Sequence, residues 1–331
     1  MPPAFDSLAE LHQFVCDSHL RSLNARQSDS RGEFINVGVV DSVLHPPVEL
    51  EDAYEINRKE NYIYTTEPTT QHGTDVLELI GYTAPNAVYS LYRVIAETNT
   101  ARRGDFVAAI GDASTHNIDL LNLSVGVWHT EEENHDCGGH CRIADEVRLA
   151  TENGMTIIAA TGNQSKTEEK ATHCPALLEE TIGVGGFVSL CTAELNRSPD
   201  SRQYWIEGRG IQGPFCGQRD CYTGNSCSEY QLEKPWPGNV AFEPVEPDVL
   251  APVIRVNDSE DDPLFKSGTS FGTPFVTGLV AVLLSESLTQ GSLPTPGEIK
   301  KAVIHGGSSI DVGEVPKFNA DGTWQLLKNQ L

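Results

Sequence analysis

Ser267-Gly268-Thr269-Ser270-Phe271-Gly272-Thr273-Pro274-Phe275-Val276-Thr277-Gly278 runs without a break into Leu279-Val280-Ala281-Val282-Leu283-Leu284. Small residues before and after Ser270 let the backbone turn sharply, and the largely apolar run from Phe275 to Leu284 has the make-up of a helix buried on most sides. Ser270 is therefore expected near the N-terminus of that helix, where unsatisfied N–H groups and the positive end of the dipole favour negative charge. Two roles fit the position. Thr269 and Ser270 could be an ordinary N-cap, or Ser270 could be a nucleophile whose own N–H helps hold the oxyanion that its attack creates. Pro274 falls in or just past the first turn, where a missing donor costs little.

Outward from this stretch the chain alternates. Phe34-Ile35-Asn36-Val37-Gly38-Val39-Val40 is a β-branched run of the kind found in buried parallel strands, and it ends on Asp41. Residues 88–95, 118–124 and 155–160 read as further strands. Helical patterns cover 72–80, with His72 at the start and Val76, Leu79 and Ile80 on one face, then 104–111, and 142–153 with Ile143, Val147 and Ala150 inward. Thr295-Pro296-Gly297-Glu298 is a capping box with proline at the first helical position. Strand and helix alternating over short joints predict an α/β fold: a doubly wound, mostly parallel sheet flanked by helices. Residues 1–32 read as a peripheral helical arm, through Phe5, Leu8, Leu11 and Val15, and 33–331 as one domain. Residues 189–245, rich in Gly, Pro, Ser and cysteine, read as an irregular insertion on its core.

The 331 residues carry 47 Asp+Glu against 23 Lys+Arg, a formal charge of −24, and 39% hydrophobic residues. That content is ample for a packed core, and without a basic patch for phosphates it argues against nucleic-acid binding. The acids are spread along the chain and the bases are poor in lysine, which predicts a surface of the salt-loving type. Met1-Pro2-Pro3-Ala4-Phe5-Asp6 lacks the order of a signal peptide and no run of about 18 apolar residues exists, so no membrane contact is expected. The expected location is the cytoplasm, with secretion after trimming as the open alternative. Residues 1–30 are short for a prodomain, so the chain is expected to fold unaided or with a separate partner, an inhibitor or a chaperone.

A serine hydroxyl at neutral pH needs an imidazole to take its proton, and the imidazole needs a carboxylate to hold its tautomer. Asp41, His72 and Ser270 supply these types, each at a strand end or helix start, in one of the few orders known for such a triad. Four blocks together resemble the subtilisin-like serine proteases, or subtilases: Val39-Val40-Asp41-Ser42, His72-Gly73-Thr74, Ala159-Ala160-Thr161-Gly162-Asn163, and Gly268-Thr269-Ser270 with Pro274. The resemblance implies a serine endopeptidase acting on protein or peptide through an acyl-enzyme, with Asn163 as an oxyanion donor. It further implies that Ser124, Val125 and Gly126 line extended substrate, that Ala160, Thr161 and Gly162 wall the primary specificity pocket, and that Thr172 and His173 form its floor.

The chain departs from the family at Val43, where glycine is usual, at Asp75, where histidine is common, and at Phe271 and Gly272 after the serine. A loop that holds calcium inside the base helix in many members is missing, since Ile80 leads almost directly into Gly81-Tyr82-Thr83-Ala84-Pro85. No metal and no cofactor are expected. The eight cysteines leave two further readings open. Cys137-Gly138-Gly139-His140-Cys141 is spaced more loosely than a zinc knuckle, and at least one disulfide is expected within Cys191, Cys216, Cys221 and Cys227. The alternatives to a protease are a weak or inactive subtilase-fold peptide-binding module and a metal-dependent interaction protein.

Overall fold

Asn36–Asp41 (β1) is apolar without alternation because the sheet is covered on both faces: Val37 and Val39 enter one buried cluster and Val40 the other. The computed structural model describes residues 4–63, 70–95, 101–128, 140–163, 173–176, 178–191, 203–206, 209–212, 231–235, 246–256 and 265–329. Beside β1 stand Glu55–Asn61 (β2), Val88–Arg93 (β3), Leu120–Leu123 (β4), Thr156–Ala160 (β5), Thr181–Cys191 (β6), Gln231–Pro235 (β7) and Val249–Pro252 (β8). They run in the order β7-β6-β5-β4-β1-β3-β2, with β8 also on β6. Every pair is parallel except β7 with β6. β6 is long enough for several partners along its length, with β8 at Val184–Phe187 and β7 from Phe187 to Cys191. Part of the stretch read as an irregular insertion thus belongs to the main sheet.

Helices Leu8–Ser22 (α1), Val48–Ala53 (α2), His72–Thr83 (α3), Arg103–Thr115 (α4), Arg142–Glu152 (α5), Thr269–Thr289 (α6), Pro296–Gly306 (α7) and Ala320–Lys328 (α8) complete the frame. α4 and α5 cover the sheet face that Val40 enters, while α3 and α6 cover the other. α6 buries 18 of its 21 residues, which is why its sequence is apolar all round. By length and composition it could cross a membrane, but protein encloses 89% of its apolar window, as in the core helix of a folded domain. Gly278 sets its distance from α3, since a Cβ there would fall 2.7 Å from Thr83 Cβ and 2.9 Å from the Ile80 carbonyl oxygen.

Two expectations change. The N-terminal arm is not peripheral: Leu11, Val15, Cys16 and His19 of α1 are buried, and Leu23 joins the main core cluster. His19 Nε2 lies 2.6 Å from the Ile254 carbonyl, and its ring meets Phe275 of α6 edge-on at 5.4 Å. The helix read at 104–111 extends to Thr115, and β2, α2 and α8 are elements that the apolar pattern did not reveal.

In a parallel sheet all C-terminal strand ends share one edge, the edge where open α/β sheets place their sites. Asp41 at the end of β1, Ser124 after β4 and Thr161 after β5 come together there. A short antiparallel ribbon, Ile254–Val256 with Phe265–Ser267, brings the chain from β8 to the start of α6, pairing Arg255 opposite Lys266.

Candidate active site

Asp41 is fully buried, and the fold compensates its charge from two sides. The Ser42 N–H donates to Oδ1 at 2.7 Å, and His72 Nδ1 lies 2.9 Å from Oδ1 and 3.0 Å from Oδ2. The carboxylate thereby holds a proton on Nδ1 and leaves Nε2 as the acceptor. His72 opens α3, its N–H donating to Thr70 Oγ1 at 2.9 Å, and the next residue, Gly73, donates to Ser42 Oγ at 3.0 Å. Gly73 is needed for this approach: a Cβ would fall 2.5 Å from the Val43 nitrogen and 2.9 Å from Asp41 Oδ1. Val43 fits here as a buried side chain beside that glycine and leaves the Asp41–His72 pair intact. Burial works against the imidazolium, yet the Asp41 carboxylate, its hydrogen bond and the charge of Asp75 outweigh burial and Lys266, and hold the pKa of His72 above its ordinary 6.5.

Ser270 is the second residue of α6, so its N–H belongs to the first turn, which has no preceding carbonyl to take it. The loop after β5 docks on this helix start. The Gly162 N–H donates to Thr269 Oγ1 at 3.1 Å, and the Thr269 N–H and Oγ1 both donate to Asn163 Oδ1, at 2.9 and 3.0 Å. With its oxygen fixed, the Asn163 amide presents Nδ2 toward Gly268. A Cβ on Gly268 would sit 3.1 Å from Asn163 Nδ2 and 3.2 Å from Ser270 Oγ, so amide and hydroxyl converge on the space beside that glycine. The rings of His72 and Phe271 lie 5.8 Å apart, which brings the base helix against the nucleophile helix.

Ala160 and Thr161 are buried at the end of β5, where the Thr161 N–H donates to the Val184 carbonyl at 3.1 Å, and Gly162 turns with φ +98. Ser124 directs its hydroxyl into α6, donating to the Ser270 carbonyl at 2.9 Å and accepting from Asn122 at 3.0 Å. Its side chain therefore supports the nucleophile, and Val125 and Gly126 are the half-buried part of that segment. Thr172 lies outside the described residues, as does the His173 side chain, so the pocket floor is not described. The same holds for the disulfide expected within Cys191, Cys216, Cys221 and Cys227.

One group of site residues was missed from sequence. Asp75, one turn beyond His72, meets Arg255 Nη1 at 2.7 Å and Lys266 Nζ at 4.0 Å, and Arg255 Nη2 also holds Glu78. Arg255 and Asp75 are each 3% exposed. The only signal was the unusual acid after His72-Gly73-Thr74; its partners depend on ribbon register, which no local pattern reports. α3 itself is continuous from His72 to Thr83, with no loop breaking it.

Residues 32–314 match the subtilase family, peptidase family S8. The chain belongs to the subtilase family. Among relatives of this subtilase, a subtilisin from Bacillus pumilus is 21% identical over 299 residues, covering 86% of this chain and 88% of that protein. The membrane-bound transcription factor site-1 protease of Rattus norvegicus is 25% identical over 261 residues, 75% of this chain but 21% of the relative. Solved structures of the same fold include a lanthipeptide protease, with TM-score 0.64 and 16% identity over 97% of this chain and 95% of that one. The prenylagaramide maturation protease PagA aligns with TM-score 0.61 and 21% identity over 93% and 98%. These relatives lend no support to the salt-loving origin that the composition suggested.

Proposed function

We propose that this subtilase is a serine endopeptidase working through Asp41, His72 and Ser270. Ser270 Oγ attacks the carbonyl carbon of a peptide bond while His72 Nε2 takes its proton, and Asp41 stabilises the imidazolium. The tetrahedral oxyanion accepts hydrogen bonds from Asn163 Nδ2 and the Ser270 N–H. On collapse His72 returns the proton to the leaving amine, and water then repeats the sequence on the acyl-enzyme. Substrate lies extended beside Val125 and Gly126, with Ala160, Thr161 and Gly162 walling the first pocket.

The observation that carries this reading is the convergence of Ser270 Oγ and Asn163 Nδ2 beside Gly268, at a helix start whose Phe271 ring lies 5.8 Å from that of His72, a histidine oriented by a buried carboxylate. A fluorophosphonate probe should label the wild type and not Ser270→Ala, and peptide hydrolysis should vanish in Ser270→Ala and His72→Ala. The panel includes casein and a nisin-type leader peptide, because a nisin leader peptidase from Lactococcus lactis shares the fold at TM-score 0.61 and 16% identity, over 95% of each chain. Absence of both labelling and hydrolysis in a folded wild-type protein would favour the inactive peptide-binding module.

A further inference from the structure

Pro274 lies inside α6, four residues beyond Ser270. In an α-helix the N–H of residue 274 would bond to the carbonyl of residue 270, and proline has no N–H to give. The missing donor is thus not one of the unpaired N–H groups of the first turn, as the sequence suggested, but one that the helix would have used. It leaves the carbonyl of the candidate nucleophile without its helical partner in an enclosed place, where both Ser270 and Pro274 are buried. A buried carbonyl without a donor is costly, and a side chain from another element supplies one: Ser124 Oγ donates to it at 2.9 Å. We propose that Ser124 and Asn122 are positioning residues for Ser270. Ser124 gives from the sheet the hydrogen bond that Pro274 takes from the helix, and Asn122 fixes the Ser124 hydroxyl. The assignment rests on the reading of Ser270 as the nucleophile.

The bonds run in one direction. Ser124 Oγ has one proton, given to the Ser270 carbonyl, and it accepts from Asn122 Nδ2 at 3.0 Å. Asn122 Oδ1 in turn accepts from the Thr277 hydroxyl at 2.9 Å, a proton that the Thr273 carbonyl shares at 3.1 Å. Asn122 and Thr277 are fully buried and Ser124 nearly so, and no polar side-chain atom of the three is left without a partner. This accounts for an amide between Leu121 and Leu123 in the middle of a buried strand. A buried network in which every member is satisfied holds one geometry. It meets α6 at Ser270 and again at Thr277, nearly two turns on, and so braces the start of that helix against β4.

β4 runs on through Ser124 into Val125 and Gly126, on which substrate is proposed to lie. The strand end that receives substrate therefore also holds the backbone of the attacking residue. A shift of that backbone would move both Ser270 Oγ and the Ser270 N–H, the attacking atom and one oxyanion donor. Neither group need bind the ground state, so the loss belongs to turnover and not to substrate binding.

Peptide hydrolysis by wild type, Ser124→Ala, Pro274→Ala and the double variant tests this. Ser124→Ala should lower kcat about tenfold at little changed KM, the effect of losing one buried hydrogen bond. Pro274→Ala gives the helix back an N–H for the Ser270 carbonyl, so in that background Ser124→Ala should cost less than about twofold. Asn122→Ala, which leaves the Ser124 hydroxyl in place but loose, should lower kcat by a smaller factor than Ser124→Ala. Should Ser124→Ala fail to fold, Ser124→Cys, close in size and with a weak donor, takes its place in the set. Wild-type kcat in Ser124→Ala or in Asn122→Ala would overturn that residue's assignment. Equal losses in the two backgrounds, or a loss confined to KM, would overturn the proposal, since Ser124 would then act otherwise than through that carbonyl. A wild type that neither hydrolyses peptide nor takes a fluorophosphonate would mean instead that the protease reading has failed. The same set read by denaturant unfolding then decides the link, coupling between positions 124 and 274 supporting it and strict additivity overturning it.

Discussion

Arg255 Nη1 stands 2.7 Å from Asp75 Oδ1 with both side chains sealed from solvent. The pair joins α3, which carries His72, to the ribbon that leads into Ser270, so it links two elements that must be correctly spaced for proton transfer. A buried pair is costly to break from one side, because the remaining carboxylate is cut off from water, with the more distant Lys266, at 4.0 Å, left to offset its charge. Arg255→Met is expected to lower stability by about 3–5 kcal/mol and to lower kcat with it. The double variant Arg255→Met with Asp75→Leu should recover much of the stability but not all of the kcat. Denaturant unfolding and initial rates on one peptide check both; a single variant as stable as wild type would contradict the argument.

Gly268 keeps open the space on which Ser270 Oγ and Asn163 Nδ2 converge. In Gly268→Ala the new methyl would sit 3.1–3.2 Å from both atoms, tighter than ordinary contact, and both are side-chain ends that can yield. Stability should change little. Turnover should fall toward the ~10²–10³-fold loss that follows removal of one oxyanion donor, a range known for subtilisin. Steady-state kinetics beside a melting curve tests this, an unchanged kcat counting against the oxyanion assignment.

The pKa of His72 lies above 6.5 in the folded chain. A general base works when deprotonated, so the acid limb of kcat/KM is expected to have its midpoint above 6.5. Asp75→Asn removes one of the charges that raise it, and the limb should move to lower pH. The same shift has a stability consequence of opposite direction. His72 binds its proton more tightly folded than unfolded, so its contribution is fully present below pH 6.5 and is lost as pH rises through the folded value. A pH–rate profile of both proteins on one substrate checks the first shift, and no movement in Asp75→Asn would contradict it.

His19 behaves the other way. Burial depresses its pKa to about 4, against the hydrogen bond to the Ile254 carbonyl and with a small push from His12. The unfolded chain then takes up a proton near pH 6.5 that the folded chain refuses, so stability falls as pH drops from about 6.5 to about 4. The linkage limit is ~3 kcal/mol, from 1.36 kcal/mol for each pKa unit. Chemical denaturation of wild type and His19→Gln at pH 7.5 and 4.5 measures it: the variant should be less stable at pH 7.5, and the difference should shrink at pH 4.5.

The places of Asp41, His72 and Ser270 at a strand end and two helix starts were legible because each closes or opens an apolar run whose period is unambiguous, and such ends in a parallel sheet meet on one edge. β2 was not legible. Glu-Ile-Asn-Arg-Lys-Glu-Asn is an edge strand whose charged side chains are half in solvent, with Lys59 held by Glu51 and Arg58 by Glu60, so no apolar alternation marks it. The buried arm was misjudged for a related reason. α1 reaches the core through few apolar residues and through His19, which reads as surface until its carbonyl partner is known. The Asp75–Arg255 pair spans 180 positions and depends on the register of two three-residue strands, which only the assembled fold sets.

α6 begins with the candidate nucleophile and continues as the most enclosed helix among the described residues, packed on α3 and beneath the sheet. Ser270 cannot be delivered to His72 unless that helix is seated, and seating it requires nearly the whole apolar interior to be assembled around it. A loosened chain with its interior half formed would thus be unarmed, and hydrolytic activity would appear and vanish together with global folding. Loss of activity on heating would then follow the unfolding rate of the whole molecule, with no disarmed but otherwise native population in between.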